Sequence, residues 1–89
     1  MEVNEFKDWL NTNTAYTKET KSNILSRLKR ADKILPIRNE KVYLFNLSQE
    51  KRFQALTVSV KSQVRRAVKL YFQYLDWKDD ITDEPSKES

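Results

Sequence analysis

The 89-residue chain contains no glycine, no cysteine and no histidine. Each absence removes a class of chemistry. Without cysteine there is no disulfide frame and no thiolate site for zinc or an iron–sulfur cluster. Without histidine there is no imidazole acid–base group and no imidazole–metal centre. Without glycine neither glycine-rich phosphate loop can form, and Asn-Gly or Asp-Gly hairpin turns are unavailable. Proline occurs only at Pro36 and Pro85. No stretch approaches the ~18–20 apolar residues of a membrane span. The opening Met1-Glu2-Val3-Asn4-Glu5 lacks the basic-then-apolar layout of a signal peptide. Cytoplasmic residence is the default expectation, with no membrane, metal or other cofactor. Composition alone leaves carboxylate or tyrosine catalysis open, but so short a chain rarely builds the cleft it needs. The acidic residues of the folded part are dispersed, with no paired-carboxylate site, so no enzyme activity is expected.

What remains is charge, aromatics and helical periodicity. The length allows one small domain. Ten aromatic residues, four Tyr, four Phe and two Trp, can furnish a helical core. The formal net charge of +4 is unevenly spread. Residues 1–16 carry −2 and residues 76–89 carry −4, while residues 17–75 carry +10. A basic centre points to a polyanionic partner rather than to a fold.

Helices are the only regular elements the pattern supports. Val3, Phe6, Trp9 and Leu10 fall at helical spacing over Val3 to about Asn11, and Asn11–Thr14 reads as a loop. Thr17 is a good N-cap, and Glu19 suits the positive end of the helix dipole. The second helix is predicted over Lys18 to about Leu35, where Ile24, Leu28, Ala31 and Leu35 form an apolar stripe that Pro36 ends. Lys18, Ser22, Ser26, Lys29, Arg30 and Lys33 lie opposite that stripe. Val42-Tyr43-Leu44-Phe45 reads as a strand or a helical turn, and the lack of a partner strand favours the turn. Ser48 is the expected cap of a short helix over Gln49–Leu56, burying Phe53 and Leu56.

The last helix is predicted from a cap at Thr57 or Ser59 to about Trp77. Val60, Val64, Ala67, Val68, Tyr71, Tyr74 and Leu75 share one face. Lys61, Ser62, Arg65, Arg66, Lys69 and Gln73 share the other, with no acidic residue among them. The helical domain is therefore expected over 1–77, followed by an acidic, disordered tail over 78–89. A merely solvated face usually mixes charge signs in i,i+4 pairs. This one does not, which favours contact with nucleic acid: Lys and Arg for phosphates, Ser and Gln for phosphates or base edges. Phe6, Trp9, Tyr71, Phe72 and Tyr74 are expected in the core rather than as stacking platforms, with Phe72 at its edge.

Three segments carry a resemblance. Phe6-Lys7-Asp8-Trp9-Leu10 is similar to an F-x-x-W/Y-L opening helix. Tyr16-Thr17-Lys18-Glu19-Thr20 is similar to an L-S-x-x-T helix start. Leu56-Thr57-Val58-Ser59, followed by Ala67-Val68-Lys69-Leu70-Tyr71-Phe72-Gln73-Tyr74-Leu75, is similar to an L-S-x-S-T … A-L-R-x-F-F-x-Y-L closing helix. In this order, over residues 3–77, the chain resembles the N-terminal core-binding domain of phage integrases and other tyrosine recombinases. The resemblance implies an all-α, SAM-like bundle of four or five helices that grips double-stranded DNA with its second and last long helices. It carries DNA contact onto Thr20, Lys21, Lys29 and Arg30, and onto Lys61, Ser62, Arg65, Arg66 and Lys69. The family's catalytic domain, with its Arg, Lys, His and nucleophilic Tyr, has no counterpart here. The chain is then either an excised domain or a stand-alone protein reusing the fold. The alternative is a regulator or inhibitor of phage or mobile-element origin that binds a protein such as a recombinase, through exposed apolar residues around Tyr43, Phe45 and Phe72.

Overall fold

A computed structural model describes residues 3–38 and 40–88, with side chains through residue 80. The chain forms α1 (Val3–Asn13), α2 (Lys18–Ile34), α3 (Tyr43–Gln49), α4 (Lys51–Gln54) and α5 (Val58–Glu88). No strand occurs among the described residues, and the protein is an all-α bundle. The ambiguous run at residues 42–45 belongs to the start of α3.

The start of α2 follows from Thr17, whose Oγ1 accepts from the Thr20 amide at 3.2 Å. Its stripe is buried at Ile24, Leu28 and Ala31, and Ile34 joins them. Leu35 is extended, at φ −147° and ψ 116°, as the following proline demands. At α5 the cap is Thr57 rather than Ser59: its Oγ1 accepts from the Val60 amide at 3.3 Å, and its carbonyl from Lys61 at 2.9 Å.

Three boundaries differ from the sequence reading. α1 continues to Asn13, through residues that read as a loop. Their own side chains support its last turn: Thr12 Oγ1 donates to Asp8 O, Asn13 Nδ2 to Trp9 O, and Thr14 Oγ1 to Leu10 O at 2.6 Å. Ser48 does not cap the short helix. It lies inside α3 and donates to Phe45 O at 2.6 Å, while α4 begins after an extended Glu50 that makes no side-chain cap. Phe53 is buried as expected, but Leu56 is only half-buried. Finally, α5 runs past Trp77 to Glu88 and contains Pro85 in its last turn. The tail expected to be disordered over 78–89 is instead helical through Glu88; residue 89, and the side chains from residue 81 onward, lie outside the described residues.

α2 and α5 make the most extensive helix–helix contact. Val64, Ala67, Val68, Tyr71 and Tyr74 of α5 are buried against α2 and against Phe6 and Leu10 of α1. Phe6 stands edge-on to Tyr71, with centroids 5.3 Å apart at 86°, and packs on Tyr74 at 5.7 Å. The Tyr74 hydroxyl donates to Glu5 Oε2 at 2.9 Å, tying α1 to α5. The aromatic residues are core, with Trp9 and Phe72 half-buried at its margin.

A helix commonly ends on a left-handed residue, usually glycine, which lets the last carbonyls be satisfied locally. None is available here, and no described residue has positive φ. The last carbonyls of α2 are met from elsewhere in the fold. Arg52 Nη2 of α4 donates to Lys33 O at 3.0 Å and Ile34 O at 3.2 Å. The Tyr43 hydroxyl of α3 donates to Leu35 O at 2.6 Å and approaches Ala31 O at 3.4 Å. Asp32 Oδ1 accepts from the Ile37 amide at 3.0 Å, fastening the chain beyond Pro36. Burial, reinforced by the Asp32 carboxylate, pushes the Tyr43 phenol well above the usual tyrosine range. The neutral phenol is the form that donates, so folding favours it.

Replacing Tyr43 by Phe leaves Leu35 O without its donor and costs about 1–2 kcal/mol at neutral pH, read by urea unfolding. A folded-state pKa raised above the unfolded value contributes stability that is fully present below the unfolded pKa. That contribution falls as the unfolded chain ionises, above about pH 10. The stability gap between the parent and Y43F therefore narrows as pH rises past that point. A gap that stays constant into alkaline pH would show that the fold does not hold Tyr43 neutral.

Candidate nucleic-acid interface

Because α2 and α5 pack side by side, the flanks of their apolar stripes meet along a seam. On α2, Thr20 and Arg27 border the buried Ile24 on the side towards α5. Arg27 Nε donates to Gln63 Oε1 of α5 at 2.8 Å, bridging 36 residues of chain. Thr20, Arg27, Gln63 and Arg66 line a recess of about 170 Å³ between the two helices. An adjoining, more open depression of about 400 Å³ is lined by Ser62, Arg65, Arg66, Lys69 and Gln73. Tyr16, half-buried just before Thr17, lines both.

The spacing explains this row. Ser62, Arg66, Lys69 and Gln73 step by four, three and four, and so lie above one another on α5. Arg65 is offset towards α4, its guanidinium carbon 5.3 Å from the centroid of the buried Phe53 ring. No carboxylate lines either depression. Three guanidinium groups and one ammonium thus share one stretch of surface, among hydroxyl and amide groups that can also donate to an anion.

The residues singled out from the sequence divide between two flanks of α2. Thr20, Ser62, Arg65, Arg66 and Lys69 come together at the seam. Arg30, exposed and three residues beyond Arg27, continues the same side of α2. Lys61 is half-buried in the first turn of α5, next to Ser62. Lys21 lies on the opposite flank, in a groove it shares with Lys7, Asn11 and Lys18. Its ammonium donates to Asn11 Oδ1 at 3.0 Å. Lys29, exposed and four residues beyond Leu25 of that groove, belongs to this second flank.

Arg27, Gln63 and Tyr16 were not among the residues the sequence suggested. Arg27 and Gln63 sit beside stripe residues, Leu28 and Val64, where a helical wheel does not separate packing from exposure. Only the α2–α5 packing makes them neighbours. The other sequence candidate, an apolar patch around Tyr43, Phe45 and Phe72, is reduced. Tyr43 is 2% exposed, and Phe72 is half-buried edge-on to it at 5.8 Å. Phe45 remains 66% exposed, near Val42 at 54%. Among the described residues no group of three or more His, Cys, Asp or Glu is placed to hold a metal, and no helix is long and apolar enough to cross a membrane.

The charged groups of the seam project from helices whose buried sides carry the fold. The double substitution R65A/R66A forfeits the Arg65–Phe53 contact, about 0.5–1 kcal/mol, and little else. Thermal unfolding with intact helical circular dichroism checks this, and a loss several times larger would show that the surface and the fold are inseparable. Comparison of the chain with protein-family models, curated proteins and solved structures finds no match.

Proposed function

We propose that the chain is a non-catalytic DNA-binding module that grips duplex DNA along the seam between α2 and α5. The observation that carries this reading is the pair of adjoining depressions lined by Arg27, Arg65, Arg66 and Lys69 with no carboxylate among them. Cations of one sign held this close repel one another, and a solvated surface has no reason to gather them. A phosphate backbone relieves that repulsion and releases its own counterions on binding. Guanidinium forks match phosphate oxygens and guanine edges alike, while Ser62, Gln73 and Thr20 add neutral donors. The resemblance to the core-binding domain of phage integrases and tyrosine recombinases supports the same two helices as the DNA-contacting pair. In this reading the chain supplies grip and orientation and leaves strand cleavage to another domain or protein.

A gel-shift titration with random-sequence duplex at two salt concentrations tests the proposal. Affinity falls with salt, with a log–log slope of about −0.9 per neutralised phosphate. R65A/R66A weakens binding by about tenfold or more, since each lost charge-assisted contact is worth about 1.5–3 kcal/mol at most and less when exposed. K29A, on the other flank of α2, changes affinity by less than about threefold, the effect of a peripheral charge. Undiminished binding by R65A/R66A would remove the seam from the interface. No binding by the parent chain at low salt would transfer the weight to a protein-interaction role centred on Phe45 and Val42.

A further inference from the structure

The recess between α2 and α5 holds more than loose positive charge. We infer that Arg27, held in place by Gln63, is a preset anchor for one backbone phosphate of the bound duplex; this rests on the DNA-binding reading above. Arg27 is half-buried, and it lines the recess together with the core residue Ile24, one turn before it on α2. Gln63 Oε1 takes the Nε proton at 2.8 Å and so fixes the plane of the guanidinium. The two terminal nitrogens make no hydrogen bond or ion pair with any described residue. Four N–H donors therefore remain on a cation that is already oriented and has no carboxylate partner.

An arginine normally loses much of its rotamer freedom when it engages a ligand. Here the Gln63 bond and the half-buried stem have already restricted it in the free protein, so less is lost on binding. The rest of the recess suits the same ligand. Arg66 provides a second guanidinium on the facing helix. Thr17 Oγ1 donates to Thr20 Oγ1 at 3.0 Å, which leaves the Thr20 hydroxyl proton free to point outward. Tyr16 lines the same recess. An oxyanion bearing several acceptor oxygens satisfies all of these donors at once. A neutral base edge offers fewer acceptors and no charge. Arg27 is then a contact residue and Gln63 a positioning residue acting through it.

The test is duplex affinity over a range of salt concentrations for the parent chain, R27A, R27K, Q63L and R27A/Q63L, with melting temperature recorded for each. R27A is expected to weaken binding about tenfold and to reduce the salt slope by about 0.9, one phosphate fewer. R27K keeps the charge and most of the slope, but loses several-fold in affinity because it lacks both the fork and the Nε donor. Q63L weakens binding several-fold in the parent and leaves the R27A chain unchanged, the non-additivity expected of two residues acting as one unit. R27A and R27K that bind like the parent, while R65A/R66A binds weakly, would overturn the anchor and leave the DNA-binding reading intact. Equal effects of Q63L in both backgrounds would overturn the positioning role. Failure of the parent chain to bind duplex at low salt is the separate result that removes the underlying reading. Should R27A melt far below the parent, the R27K comparison, which preserves the packed stem, decides the case alone.

Discussion

Three carbonyl groups at the end of α2 hold the arrangement of the shorter helices in place. A helix that stops in a partly buried position must give its last carbonyls donors, or bear the cost of desolvating them. Lys33 O, Ile34 O and Leu35 O find those donors in Arg52 and Tyr43, which lie 8 to 19 residues further along the chain. The requirement ties α3 and α4 to the end of α2. Tyr43 enters the core as it reaches Leu35 O, and Arg52 reaches over the same helix end from the turn that buries Phe53. A guanidinium also suits the negative pole of the helix dipole. The two links are polar, yet they position the aromatic rings that close this part of the core.

That core in turn sets the seam. Phe53, fixed by α4, offers its ring to the Arg65 guanidinium, and the α2–α5 contact brings Arg27 to Gln63. Arg27, half-buried beside the α2 stripe, and Arg65, set against Phe53, are the restrained members of a charged surface whose other cations, Arg66 and Lys69, are exposed. Residues on a flank have stems restrained by packing and heads that reach solvent. Outward residues such as Lys29 and Arg30 have charge without that restraint. In the proposed interface, such restraint is what would separate holding a polyanion in register from merely attracting it.

Much of the fold was readable from the chain. Thr17, the stripe through Ile24, Leu28 and Ala31, the stop at Pro36 and the buried face of α5 all follow from local rules, because cap chemistry and periodicity are properties of neighbouring residues. Two of the misread stretches, around Asn13 and at Ser48, share one physical cause. Ser48, Thr12, Asn13 and Thr14 satisfy carbonyls one turn behind them, whereas the sequence reading assigned such residues to caps and loops ahead of a helix. For the candidate surface, residue type and helix face indicated Ser62, Arg65, Arg66 and Lys69, and the family resemblance added Thr20. The division of Lys21 and Lys29 from them, and the bond from Arg27 to Gln63, depend on which flank of α2 meets α5, and no local pattern encodes that.

The backbone of this protein never enters the left-handed region among its described residues, and its sequence has no glycine, the residue that enters it most freely. The consequence reaches the unfolded chain. Glycine widens the conformational space of a denatured ensemble, and replacing one at a compatible site typically raises stability by about 0.4–1 kcal/mol for that reason. A chain of this length with ordinary usage would contain about six glycines. Their absence narrows the disordered ensemble that folding must overcome, by an amount on the order of a few kcal/mol that no contact in the native structure reveals. The side-chain caps at the ends of α1, α2 and α3 are the native-state counterpart of that stiffness. The chain gives up the easiest way to end a helix and starts from a less entropic unfolded state.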